Sequence, residues 1–214
     1  MASVPDMLTE LGDYGFKDLS PTTKVRAINQ AYWDICSREP WPFLEKELVL
    51  TFNGSTDYAS NAPTDLSAVL KIVNPNTGVR LVAYRSEDVE ENYATSIATI
   101  GTPILYYFLS GTLKFTPIPA SSLTYRMKYI SYPAELRTDS PETDILLPAR
   151  HHEALILGAA SRLAGMQDDT EMGSYHGERM EKKLTDMKND LWRRQYDSPD
   201  FIRPVEDYDY YYIC

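Results

Sequence analysis

Two adjacent histidines are the first side chains in this sequence that suggest chemistry. His151 and His152 stand in the run RHHEA, and the only other histidine is His176. If the run is helical, neighbouring side chains point about 100° apart and cannot hold one metal ion together. The run also lacks the His-x-x-x-His spacing that places two imidazoles on one helix face. We therefore interpret the pair as polar residues in a first helical turn and predict no metal site.

Two groups of carboxylates suggest glycoside hydrolysis. One group contains Asp139, Glu142 and Asp144, and the other contains Glu87, Asp88, Glu90 and Glu91. A glycosidase needs a buried pair of carboxylates about 5 to 10 Å apart around a cleft. These groups instead stand in polar runs typical of solvated loops and helix starts. A carboxylate-based hydrolase of cell-wall glycan therefore stays only as an alternative.

The sequence carries no motif of a nucleotide-binding or nucleophilic enzyme. Gly-x-Ser-x-Gly, the P-loop and Gly-x-Gly-x-x-Gly are all absent. Cys36 has no catalytic motif around it, and Cys36 and Cys214 are interpreted as two free thiols in a reducing compartment. We therefore predict no cofactor and no enzymatic activity.

The composition argues against a negatively charged partner, such as nucleic acid or anionic lipid, that would bind through the overall charge of the chain. The formal net charge is −10, so the chain as a whole repels nucleic acid and anionic lipid. Its first residues do not form a signal peptide pattern, and no apolar run approaches the roughly 20 residues of a membrane span, so no membrane contact is expected. Sixteen tyrosines are more than usual, and tyrosine suits surfaces that become buried against a partner.

Helical patterns occur towards both ends of the chain. Ser20 and Pro21 are typical of a helix start, and apolar residues then recur every three or four positions until a proline ends the pattern. A shorter helix is expected before it, over 5–11. Further along, a helix over 151–165 rich in alanine and leucine and an amphipathic helix over 168–196 are expected to form a hairpin.

Between these helices the pattern changes to short runs typical of strands. They fall at 45–52, 68–73, 79–84, 103–109, 112–118 and 123–132, with a short helix over 86–94 among them. The tight connections NPNTG and SG favour antiparallel neighbours. The predicted fold class is therefore α+β: a helical bundle interrupted by an antiparallel β insertion, a small barrel or sandwich, and followed by an extended C-terminal arm.

The expected domains follow this order of elements. They are a helical core over 1–45 and 133–196, the β insertion over 46–132, and the arm over 197–214. The arm is rich in aromatic side chains that stand among acidic residues: Phe201, Tyr208, Tyr210, Tyr211 and Tyr212. We predict that these rings bind a partner, because burial of apolar surface offsets the entropic cost of ordering a chain segment. A solvated acidic tail is the alternative.

A second aromatic cluster follows the first long helix. Trp33 belongs to the helix, and Trp41, Phe43 and Leu44 follow the proline that breaks it. We expect the residues after the break to fill the junction between the helices and the sheet. Contact of this cluster with a partner is the alternative.

The order of several motifs resembles the head-to-tail adaptor, or connector, proteins of tailed bacteriophages. A helix with Trp33 and Ile35 is followed by the W-x-F-L motif of Trp41, Phe43 and Leu44 and then by a strand. Three further segments are similar to that family: DYASNAPTDLSAVLKI at 57–72, PILYYFLSGTLKFTPIPASSLTYRMKYISYP at 103–133 and ILLPARHHEALILGAASRLAG at 145–165. The resemblance covers residues 20–196 and leaves the arm unaligned. The chain departs from the family in having no long basic patch.

The resemblance implies a structural part of the virion. Such adaptors form a homo-oligomeric ring, usually of twelve copies, that binds the portal protein, extends the DNA channel and offers a docking surface to the tail or to a further neck protein. The protein would be made in the host cytoplasm and reside in the neck, where it takes part in genome ejection. DNA would pass through the ring without sequence-specific binding. Another neck or tail completion protein is the alternative within the virion.

Overall fold

The computed structural model describes residues 3–97, 99–121 and 123–196, without the side chains of residue 90, of residues 94–97 and of residues 192–196. Within these residues the protein is α+β, which confirms the predicted fold class. The expected arm over 197–214 lies outside the described residues. No helix in the described part of the chain combines the length and the apolar character that crossing a lipid bilayer requires.

The described residues contain five α-helices and eight β-strands, besides a π-helical turn and three short 3-10 helices. The helices are α1 (Val4–Leu11), α2 (Pro21–Arg38), α3 (Ser86–Ile97), α4 (His152–Met166) and α5 (Thr170–Tyr196). The strands are β1 (Glu45–Thr51), β2 (Leu66–Val73), β3 (Val82–Tyr84), β4 (Ile100–Gly101), β5 (Leu105–Leu109), β6 (Thr112–Thr116), β7 (Ile118–Pro119) and β8 (Thr124–Ser131).

The chain divides into two compact units. The helical unit comprises the described residues up to Ala31, Arg137–Glu142 and the described residues from Leu147 onward. The sheet unit comprises Tyr32–Leu136 and Thr143–Leu146. Helix α2 begins in the helical unit and ends in the sheet unit. The domains expected from the sequence are 1–45 with 133–196, 46–132 and 197–214, and these boundaries stay a prediction.

Local capping fixes where the first helices begin. At α1, Ser3 and Asp6 exchange side-chain and backbone hydrogen bonds in a capping box. At α2, the Ser20 hydroxyl accepts a hydrogen bond from the Thr23 amide at 3.2 Å, as its position before Pro21 predicts. These contacts satisfy amide groups that have no partner inside the helix.

Helices α4 and α5 form the hairpin that the sequence predicts. The Ser161 hydroxyl on α4 donates to the Gly173 carbonyl on α5 at 2.7 Å. A Cβ atom on Gly173 would lie 3.5 Å from the Ser161 carbonyl oxygen, which is an ordinary van der Waals contact. Glycine disfavours an isolated helix, and at this position the hydrogen bond from Ser161 holds the two helices together.

The α5 residue His176 is buried without a hydrogen bond to either ring nitrogen in the described part of the chain. It is 1% exposed, and its ring contacts Tyr14 edge-on with centroids 5.2 Å apart. Burial, and secondarily the positive charge of Arg179, lower the pKa of His176 from its ordinary value of 6.5. The imidazole is therefore neutral in the folded protein at neutral pH.

Because of this burial, we expect the protein to lose stability as the pH falls below 6.5. Unfolded His176 binds a proton there that the buried ring does not bind, so the unfolded state is favoured. A His176→Phe variant keeps the contact with Tyr14 but does not titrate, and it should lose less stability. Urea denaturation of the wild type and of His176→Phe at about pH 7.5 and about pH 5.5 measures how much free energy of unfolding each protein loses between the two pH values. Equal losses would contradict a depressed pKa at this ring, since all other titratable groups are common to both proteins.

The strands of the sheet unit form three sheets, and the described strands close no barrel. The first sheet is antiparallel with the order β1-β8-β2, and the second has the order β3-β5-β6. Strands β4 and β7 form a short parallel pair. Side chains from the first two sheets share one apolar core, which includes Leu50, Ile72, Phe115, Tyr125 and Met127.

The strand positions agree with the sequence, but part of the pairing does not. The SG connection produces the predicted antiparallel pair of β5 and β6. After NPNTG, only Arg80 pairs antiparallel with Val73. Strand β3 then covers just Val82–Tyr84 and runs parallel to β5, so the insertion is antiparallel in the β1-β8-β2 sheet and in the β5-β6 pair but parallel at this pair. The reason is α3, since a crossover helix between two strands permits parallel pairing.

Candidate interaction surface

The adjacent histidines make separate structural contacts in the helical unit. His152 is 3% exposed, and its Nε2 lies 2.9 Å from the Leu147 carbonyl oxygen. His151 Nε2 lies 3.1 Å from the Asp190 carboxylate, which also pairs with Arg150 Nε at 2.6 Å. The His151 and Arg150 contacts join the segment before α4 to α5, and the His152 contact joins the first residue of α4 to Leu147. In residues 3–97, 99–121 and 123–196, no cluster of His, Cys, Asp and Glu side chains is arranged to hold a metal ion.

The side chains considered for hydrolysis or nucleophilic attack lack the environment that this chemistry needs. Glu87 and Asp88 are exposed in the first turn of α3, and Asp139 and Asp144 are exposed as well. Burial raises the pKa of the Cys36 thiol to about 12. A thiol with that pKa is protonated at neutral pH and is a poor nucleophile.

A cavity of about 330 Å³ in the sheet unit is lined by Asp144 and by a further carboxylate, Asp65. Burial acts to raise the pKa of Asp65, but the Lys46 ammonium at 2.6 Å and the Tyr129 hydroxyl at 3.1 Å outweigh burial and lower it. A general acid requires the opposite shift, towards a raised pKa. Asp65 is therefore suited to holding Lys46 and Tyr129 in place.

The aromatic cluster after the first long helix divides into buried and exposed members. Trp41 is 2% exposed, and its indole nitrogen donates to the Ile35 carbonyl at 2.7 Å. Phe43 is half-buried and stacks on Trp41 with centroids 6.0 Å apart. Trp33 is 44% exposed. Trp41 and Phe43 thus stabilise the sheet unit, whereas Trp33 presents apolar surface that a partner can contact.

The aromatic residues predicted to bind a partner lie outside the described residues. They are Phe201, Tyr208, Tyr210, Tyr211 and Tyr212, within 197–214. Their role stays a prediction. In the described part of the chain, the β1-β8-β2 sheet has a surface that could receive such rings.

The solvent face of the β1-β8-β2 sheet collects basic residues that lie far apart in the sequence. Lys71 on β2 is the register partner of Lys128 on β8, and Arg126 on β8 lies between Val49 on β1 and Val73 on β2. Their neighbours Ile72 and Met127 are buried, so these five side chains project to the other side. We call Lys71, Arg126, Lys128, Val49 and Val73 the basic sheet face.

The charges on the basic sheet face are incompletely balanced. Arg126 Nε lies 3.1 Å from the carboxylate of Glu47, the strand β1 partner of Lys128. Within the described residues, Lys71 and Lys128 form no ion pair with a carboxylate. Like charges directly opposite each other on neighbouring strands destabilise a sheet. The face and its neighbour Glu47 thus carry three cations against one carboxylate, and the exposed Glu45 at the start of β1 lies on the same side by strand alternation. The excess of positive charge is local, on a chain whose net charge is −10.

Sequence reasoning missed this surface. No basic run marks it, because the cations come from two strands with fifty residues of chain between them, 74–123. The available signal was the alternation of side chains in β2 and β8. It places Lys71 on the face of β2 that Ile72 does not occupy, and it places Arg126 and Lys128 on one face of β8. The pairing of the two strands could not be read from that alternation.

The comparison with known families agrees with the resemblance found in the motif order. The family model of the SU10 adaptor protein matches residues 3–204, which includes both compact units. No curated protein sequence matches significantly. Since the match covers nearly the whole chain, this protein belongs to the SU10 adaptor protein family, a family of structural bacteriophage proteins.

Proposed function

We propose that this protein is a head-to-tail adaptor that forms a ring below the portal, extends the DNA channel and docks the tail. The observation that carries the proposal is the family match over residues 3–204. The exposed carboxylates and the protonated Cys36 thiol support a structural role without catalysis. The location that follows is the neck of the virion, at the interface between head and tail, after synthesis in the host cytoplasm.

The partners in this proposal are further copies of the chain, the portal protein, and the tail or another neck protein. A ring of twelve copies is the stoichiometry that the resemblance to head-to-tail adaptors implies. DNA passes through the ring without sequence-specific binding, because a chain of net charge −10 does not retain the phosphate backbone. The residues 197–214 contact a neighbouring protein through Phe201 and the four tyrosines.

The test of the proposed function is the mass of the protein alone and mixed with purified portal. We expect a ring of adaptor copies on the portal in the mixture, since each weak contact is repeated around the ring and the contacts act together. Native mass spectrometry or analytical ultracentrifugation measures the stoichiometry. If portal and protein migrate separately, and the protein instead binds a purified tail component, it is a different neck or tail protein.

A variant that lacks residues 197–214 is the matched control for this experiment. We expect it to lose portal and tail binding, because the aromatic contacts are removed from every copy at once. Its far-ultraviolet circular dichroism should equal that of the full chain once the deleted residues are accounted for. Unchanged binding by this variant would remove the assigned role of the aromatic segment and leave the ring proposal in place.

A further inference from the structure

We propose that the basic sheet face of one copy binds the acidic, tyrosine-rich residues 197–214 of a second copy. The inference rests on the proposed ring, because it names the contact that links neighbouring subunits. The surface lies in the sheet unit, and its charge, its apolar side chains and the symmetry of a ring each favour this segment as its occupant.

Charge complementarity is the first reason for this pairing. Residues 197–214 contain five acidic residues and one arginine, and their aromatic part reads EDYDYYY. The face presents Lys71 opposite Lys128, with neither ammonium paired to a carboxylate of the described residues. Carboxylates placed between the two ammonium groups convert a repulsive cross-strand pair into an attractive site.

Apolar surface is the second reason, and it favours an aromatic peptide over a nucleic acid backbone. Val49 is 49% exposed beside Arg126, whose side chain is 58% exposed. A tyrosine ring can pack on the valine and stack on the guanidinium at once. A phosphate backbone would use the cations but leave Val49 in water, and the chain's net charge of −10 opposes its approach.

Symmetry is the reason for assigning the segment to a second copy. A contact between two different patches of identical chains is heterologous, and repetition of such a contact closes into a ring when the rotation allows. The basic sheet face and residues 197–214 are two different patches of one chain. Each copy would offer one of each, so every subunit in a ring is bound on both sides.

A direct test is the binding of a fluorescently labelled peptide of residues 197–214 to the full-length protein, followed by fluorescence anisotropy. We expect a complex that weakens as salt rises from about 50 to about 300 mM, since exposed charges are screened. The variant Lys71→Glu/Lys128→Glu should bind the peptide at least roughly tenfold more weakly. The variant Lys71→Gln/Lys128→Gln creates no new repulsion in the sheet and should show a smaller loss in the same direction.

Two controls separate this site from a general effect of charge. Lys17→Glu/Lys182→Glu makes the same change in net charge at exposed positions in the helical unit and should bind like the wild type. A peptide with Glu206, Asp207 and Asp209 replaced by lysine should bind the Lys71→Glu/Lys128→Glu variant more tightly than the wild type. Equal weakening by the control variant would overturn the assignment, as would binding that ignores the changes at Lys71 and Lys128.

Three further results would also decide whether residues 197–214 of a second copy bind this face. If neither the wild type nor the variant that lacks residues 197–214, in which no copy can supply the segment, binds the peptide, the face has no affinity for the segment and the assignment is wrong. If a short DNA duplex displaces the peptide or binds this face more tightly, the surface takes phosphate rather than an acidic peptide. If the peptide binds as expected but no ring forms with portal, the contact stands and the adaptor proposal fails.

Discussion

Replacement of Trp41 by alanine should lower the free energy of unfolding by about 3 to 5 kcal/mol. The side chain is 2% exposed and stacks on Phe43, so its removal leaves a large cavity in the sheet unit. It also removes the indole donor of the Ile35 carbonyl, 2.7 Å away. Ile35 lies in the last four residues of α2, whose carbonyls have no partner within the helix. Urea denaturation followed by far-ultraviolet circular dichroism measures the loss.

Two variants separate the contributions to this effect. Trp41→Phe keeps an apolar ring but leaves the buried Ile35 carbonyl unpaired, and it should cost about 1 to 3 kcal/mol. Trp33→Ala removes the same side chain from a position that is 44% exposed, and it should cost less than about 1 kcal/mol. A Trp33 variant as destabilised as Trp41→Ala would contradict the assignment of Trp41 as the buried anchor of this cluster.

Replacement of Gly158 by leucine should destabilise the helical unit by about 3 kcal/mol or more. A Cβ atom at Gly158 would lie 2.7 Å from the Met180 sulfur on α5 and 3.0 Å from the Ala31 Cβ on α2. Met180 can change its conformation, but Ala31 is fixed to the backbone of α2. A longer side chain must therefore separate α4 from its neighbours. The midpoint of urea denaturation, compared with that of the wild type, gives the size of the effect.

Gly165 in the same helix provides the matched control. A Cβ atom there would have no neighbour within 4 Å. Gly165→Ala should therefore stabilise α4 by about 0.5 to 1 kcal/mol, since alanine is the better helix former. Loss of stability in both variants would mean that α4 tolerates no added side chain, and the close approach at Gly158 would then not be the cause.

The distribution of charge, rather than its total, connects the structure to the proposed assembly. The net charge of −10 predicts a chain that repels DNA. Sheet pairing nevertheless brings Lys71, Arg126 and Lys128 together on one face. The total charge thus suits the proposed DNA channel, and the local patch suits the proposed contact with an acidic neighbour.

Much of the fold could be predicted from local sequence. Local signals placed the α-helices of the described residues and the longer strands within a few residues of their observed ends. Apolar periodicity indicated α2 and α5, and capping residues, helix breakers and composition indicated the other helices. Ser20 and Pro21 marked the start of α2 through capping chemistry that involves neighbouring residues only. The order of local motifs was sufficient to indicate a phage adaptor, which the family match over residues 3–204 confirms.

The sequence by itself therefore determined the α-helices and the longer strands, the acidic character of the chain and its family. Only the tertiary structure decided which tryptophan is buried, that β3 runs parallel to β5, and that β8 lies between β1 and β2. Those features depend on contacts between residues far apart in the chain, and such contacts leave no local periodicity. The basic sheet face is of this kind, since Lys71 and Lys128 become neighbours only when β2 pairs with β8.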